Sequence, residues 1–151
     1  MKKIIFRQTL PLTLISFGII TKWWFGIAID AKDVFFYGFP LIYKCEGFHT
    51  SLSTQYFLTE MTINFLTYFA FWLIVTLIIN RLWEVNIPKL ICKIFWVGFG
   101  VFFLGFIYLS KDLDDRYKIK RDFDIKIFDS GITMFGIHST DREKYRGEIE
   151  N

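Results

Sequence analysis

The sequence predicts a membrane all-α protein: three transmembrane helices with an interfacial loop segment and a C-terminal β-hairpin. Three observations predict it. Of 151 residues, 53% are hydrophobic and 21% aromatic, more aromatic than a soluble core of this size requires. The apolar residues sit in long runs and not at a helical or strand period. The charges are pushed to the ends, and the stretch 111–151 alone carries 9 of the 18 basic and 10 of the 15 acidic residues. The length suits one domain, divided into a transmembrane region 1–110 and a polar tail 111–151. A net charge of +3, scattered along the chain, is too small to follow a phosphate backbone, so nucleic acid is not an expected partner.

The first helix is expected over about 4–27. Its uncharged run, 9–21, is short, but Arg7 can snorkel at one membrane face, and the Lys22-Trp23-Trp24 cluster suits the headgroup level at the other. A secretory signal peptide is the competing reading of this basic start and short apolar core. No convincing small-x-small cleavage site follows the run. The loop 30–60 comes next. Its first part, "VFFYGFPLIY", is apolar but too short to span and is broken by Gly38 and Pro40, so it is expected in the interface. The part from Ser51 to Glu60 reads as a helical lead-in, with Thr50 or Ser51 as cap.

The clearest span is 61–79, "MTINFLTYFAFWLIVTLII". It is uncharged, is bracketed by Glu60 and Arg81, and is long enough for a hydrocarbon core of roughly 30 Å. The third is 90–109, with Lys93 one turn from its start. Basic residues near the span ends set the expected orientation. Lys2, Lys3 and Arg7 at the start, and Arg81, Lys89 and Lys93 around the 80–89 turn, point both to the cytoplasm. The loop 30–60 and the C-terminal tail then face outward. In the tail, Tyr117, Ile119, Phe123, Ile125 and Ile127 fall on alternate positions. Asp129-Ser130-Gly131 is a turn signal, so a β-hairpin is expected over about 117–138.

Candidate chemistry gathers in the loop. Cys45, Glu46 and His49 offer a possible metal constellation, since Cys and His at i, i+4 share a helix face. Two or three ligands fall short of the usual zinc set, so no metal or other cofactor is expected. Cys45 and Cys92 lie about a bilayer apart in this topology and cannot pair. Glu60, with Asn64 one turn further in, could open a proton or ion path, although a carboxylate also suits a helix N-terminus. Gly98, Gly100 and Gly105 mark thin faces where helices can pack closely, within the chain or on a partner. No Walker loop, nucleophile elbow or H-E-x-x-H helix occurs, so no enzymatic activity is expected.

The order "YGFPLIYKCEGFHTSLSTQYFLTEMTINFLTYFAFW", after a Trp-Trp-ended helix and before "DIKIFDSGITMFG", resembles small polytopic membrane proteins of Bacteroidetes-type bacteria. The resemblance implies a bacterial inner membrane and carries no activity with it. The expected function is a non-enzymatic integral membrane protein in contact with lipid. It would act as a small subunit or scaffold, holding a protein partner or a second copy through the glycine faces and the hairpin. The alternative is a small oligomeric channel or carrier lined by Thr62, Asn64, Thr67 and Tyr68. A membrane-embedded enzyme using the 30–60 loop is the third reading.

Overall fold

The structure, a computed structural model, describes residues 2–28, 31–47, 53–83, 87–110 and 115–136. The chain is mixed α/β, not all-α. Helix α1 (Lys2–Ile4) runs through a π-helical turn (Ile5–Thr9) into α2 (Leu10–Ile19). Strands β1 (Ile20–Ala28), β2 (Ala31–Tyr37), β3 (Lys44–Glu46) and β4 (Thr54–Phe57) follow. Then come α3 (Leu58–Leu82), α4 (Lys89–Ser110), β5 (Arg116–Lys118) and β6 (Ile125–Met134). Two compact units result: Met1–Phe17 with Phe65–Leu113, and Gly18–Asn64 with Asp114–Asn151.

The second unit is built on a six-stranded sheet of order β5-β4-β3-β2-β1-β6, antiparallel throughout except for the parallel β4–β5 pair. This overturns four expectations, one of them the helical lead-in from Ser51, where Thr54–Phe57 is strand β4. The helix expected to reach residue 27 stops at Ile19, and Lys22-Trp23-Trp24 lies in β1. Past Gly18 the sequence turns β-branched and aromatic, which suits a pleated surface better than a helix. Strands β2 and β6 then satisfy the β1 backbone from both sides.

The segment expected in the membrane interface begins in strand β2, which holds its first four residues, Val34–Tyr37. These read as an apolar run because the sheet is buried on both faces: Val34 and Phe36 join one cluster and Phe35 the other. The expected hairpin is absent, because β5 and β6 lie at opposite edges of the sheet. Gly131 is no turn residue. It sits mid-strand opposite Trp23, and a Cβ there would come within 2.8 Å of the indole nitrogen.

One face of the sheet carries Ala28, Val34, Phe36, Ile42, Cys45 and Phe57. The connection from β5 to β6 sets Phe123 against this face, with its ring 5.7 Å from Phe57 and 6.5 Å from Phe36 between centroids. The other face gathers Trp23, Phe25 and Phe35, flanked by Tyr37 and Phe128.

The first unit is helical. Among the described residues, α3 is the helix long and apolar enough to cross a membrane. Its 25 residues extend ~37 Å at helical rise. It contains the 61–79 stretch, and α4 covers 90–109. The three-span, multi-pass arrangement expected from sequence does not stand, since the last third of its first span, from Ile20, is strand.

Candidate functional site

The Cys45-Glu46-His49 constellation does not form on a helix face. Cys45 and Glu46 are neighbours in β3, where successive side chains leave opposite faces, so they cannot converge on one ion. His49 lies outside the described residues. Among those described, no group of three His, Cys, Asp or Glu is placed to hold a metal. Cys45 is fully buried, and burial, helped by the Glu46 charge, pushes its thiol up to about 12. A thiol so protonated is a small apolar core residue and not a nucleophile.

Glu60 lies in the first turn of α3 and ties that turn to the segment after β5. The Thr59 N–H donates to the Ile119 carbonyl at 2.9 Å, and the Arg121 N–H donates to Glu60 Oε1 at 3.2 Å. Glu60 Oε2 is buried without a hydrogen-bond partner among the described residues.

Asn64 is also fully buried, and both ends of its amide are engaged by one residue. Leu41 N–H donates to Asn64 Oδ1 at 2.9 Å, and Asn64 Nδ2 donates to the Leu41 carbonyl at 2.5 Å. This pairing fixes the turn after β2, where Gly38 at φ +149° has no room for a Cβ. Thr62 donates to Leu58 in its own helix. The polar groups of Asn64 and Thr62 are thus spent on internal bonds.

Sequence reasoning missed a row of side chains crossing the whole sheet on the Trp23 face. Register places Gly131, Trp23, Tyr37, Lys44, Tyr56 and Tyr117 side by side, one from each strand. The Lys44 ammonium lies 5.7 Å from the Tyr37 ring centroid and 5.9 Å from that of Tyr56, and Tyr56 stacks on Tyr117 at 5.4 Å. Burial, followed by the Glu46 charge, raises the Tyr37 phenol to about 12. Burial, together with Asp115 and Tyr117, raises that of Tyr56. Nothing local marks such a row, since its members are far apart in sequence. Lys22 and Trp24 are a different case. They share a strand face at i, i+2, with the ammonium 3.6 Å from the ring centroid, a spacing readable once a strand is assumed.

The helical unit holds a second constellation, a polar seam. Thr9, Thr13 and Ser16 recur at helical spacing, as do Trp72, Thr76 and Asn80 on α3. Trp72 Nε1 donates to Ser16 Oγ at 2.7 Å, and the Thr9 and Thr76 hydroxyls bond at 2.9 Å. The Gln8 and Asn80 amides pair with each other. The seam ends at the π turn, for which Pro11 gives a reason. Leu10 N–H already bonds five residues back to Ile5, and in that register Pro11, having no N–H, leaves the Phe6 carbonyl free. Trp96 Nε1 takes that carbonyl at 3.2 Å, with Cys92 Sγ at 3.7 Å, which docks α4.

The candidate packing glycines are open. A Cβ at Gly98, Gly100 or Gly105 would meet nothing within 4 Å. Packing on the described residues therefore does not explain them. Comparison of the chain with protein-family models, curated proteins and solved structures yields no match.

Proposed function

We propose that the chain is a non-enzymatic, membrane-anchored accessory subunit. In this reading α3 crosses a bacterial inner membrane. The basic connection after it, with Arg81 and Lys89, lies at the cytoplasmic face. The observation that carries the reading is the inverted burial of the helical unit. Its buried residues are Gln8, Thr9, Pro11, Thr13, Ser16 and Thr76, whereas Leu66, Phe71, Ile94, Val101, Phe102 and Leu104 are exposed. Water would drive the opposite sorting. Lipid offers no such drive, and there polar side chains and small residues hold helices together. The open glycines of α4 support docking on another membrane helix, which in-chain packing leaves room for.

The test is purification of the full chain in mild detergent with mass spectrometry of what accompanies it. A stoichiometric membrane protein is expected with the wild type and is lost from Gly98→Leu/Gly105→Leu. That variant should keep its own thermal transition, because no described atom occupies the added volume. A clean homo-oligomer, or undiminished co-purification by the variant, would overturn the subunit reading. Loss of the chain from membranes on alkaline carbonate washing would overturn the anchoring.

A further inference from the structure

Two adjoining cavities of the helical unit differ in chemistry. One, of about 290 Å³, is a groove between the first helical stretch and the two long helices, lined by Leu12, Ile15, Ile79, Ile91 and Phe95 with few polar atoms. The other, of about 470 Å³, is more open and is walled by Arg7, Lys89, Lys93 and Trp96. Arg7 and Cys92 line both, so the two adjoin. Among the described residues no acidic side chain lines either one, and none of the three cations forms a salt bridge. Three like charges drawn to one opening are unfavourable unless an anion joins them. The Trp96 indole is anchored on the Phe6 carbonyl, so the wall beside them is fixed before any ligand arrives.

We infer that this composite cavity is a binding site for one anionic phospholipid, its phosphate held by Arg7, Lys89 and Lys93 and an acyl chain laid in the groove of Leu12, Ile15, Ile79 and Phe95. The occupant follows from chemistry. A free phosphate would leave the groove unused, and a neutral lipid would leave the cations uncompensated. Basic pockets between membrane helices at the cytoplasmic side take anionic headgroups for this reason. The orientation proposed above puts Lys89 and Arg81 at that side. The inference rests on the membrane anchoring proposed above, and not on the protein partner.

The experiment is native mass spectrometry of the full chain in detergent micelles, titrated with dioleoyl phosphatidylglycerol or dioleoyl phosphatidylcholine. One retained phosphatidylglycerol per chain is expected, with phosphatidylcholine at background. Lys89→Gln/Lys93→Gln should weaken phosphatidylglycerol retention, by roughly fivefold for each cation removed, and Arg7→Gln should do the same. Leu12→Trp should abolish retention by filling the groove at unchanged charge. Equal retention of both lipids would overturn the inference, as would full retention by Leu12→Trp or displacement by millimolar glycerol 3-phosphate alone. Thermal transitions of the variants, measured alongside, identify any that fail to fold; Arg7→Gln and Leu12→Trp then each decide the matter independently. Membrane retention after carbonate washing reports the anchoring separately, so failure of either statement is recognisable by itself.

Discussion

The helical unit and the sheet unit of this chain bury opposite kinds of side chain. In the sheet, Phe25, Phe35, Phe36 and Phe57 are withdrawn almost completely, as an aqueous protein requires. In the helical unit the withdrawn side chains among the described residues are Gln8, Thr9, Thr13, Ser16 and Thr76 with Pro11, and many large apolar side chains face outward. One sequence thus obeys two rules of burial, and the chain passes between the two units at Phe17/Gly18, Asn64/Phe65 and Leu113/Asp114. Under the membrane anchoring proposed above, the difference follows from what solvates each unit. Apolar transfer holds the sheet together, and hydrogen bonds between side chains hold the helices.

The strongest test of that contrast is Phe36→Ala. Phe36 is fully buried at the centre of the sheet. Its loss should cost about 3–5 kcal/mol. The near-ultraviolet signal of the sheet should melt early while the protein stays in the membrane fraction. An equally severe effect from Phe102→Ala, whose side chain is 70% exposed, would erase the distinction between the units. Next in size is Gly131→Val, which forces the added atoms into the Trp23 indole. Overpacking of this kind costs roughly 1–3 kcal/mol. The expected readout is a shifted tryptophan emission and a lower unfolding midpoint. An unchanged midpoint would mean that β1 and β6 are not in this register.

The sheet should also be sensitive to alkali. Cys45 and Tyr37 have folded-state values of about 12, against ordinary values of 9.0 and 10.0. The folded state therefore holds its protons over a range where the unfolded chain releases them, and stability must fall as pH rises. The fall should begin near pH 9 and continue toward pH 12. Cys45→Ala should flatten the beginning of the fall and leave the later part, owed to Tyr37. A stability curve flat from pH 8 to 11 would show that Cys45 is not sealed in the core.

Parts of this arrangement are legible in the sequence, and the contrast explains which. Helices α3 and α4 are readable because an apolar run of that length has few other outcomes. The end of α2 is not readable, because Ile19-Ile20-Thr21 is as apolar as the helix before it, and only pairing with β2 and β6 decides for a strand. The centre of the sheet hides for a related reason. A strand buried on both faces loses its alternation, so "VFFY" imitates a membrane-surface segment. Gly131 shows a third limit: after Asp129-Ser130 it has the local chemistry of a turn, and Trp23, more than a hundred residues away, makes it a packing residue. Among the candidate site residues, Cys45 gained interest from a helical spacing, and it lies in a strand. The cationic opening went unseen because Arg7 read as a snorkelling residue and Lys89 and Lys93 as orientation signals, each taken alone.

The smallest expected effect probes the polar seam. Thr9→Val, Thr76→Val and the double variant form a cycle around the 2.9 Å hydroxyl pair. Both hydroxyls are buried, and Thr76 also has a backbone acceptor in Leu73 at 3.1 Å. Thr9→Val therefore leaves the Thr76 hydroxyl a partial alternative, which limits the coupling. Interhelical hydrogen bonds in membranes are worth about 0.6 kcal/mol on average and rarely more than 1.7, so a coupling near the lower figure is expected from detergent unfolding. In a water-filled surrounding, valine at both sites would instead stabilise the pair by added apolar burial. A double variant clearly more stable than wild type would therefore return the helical unit to the same burial rule as the sheet, and the contrast between the two would be gone.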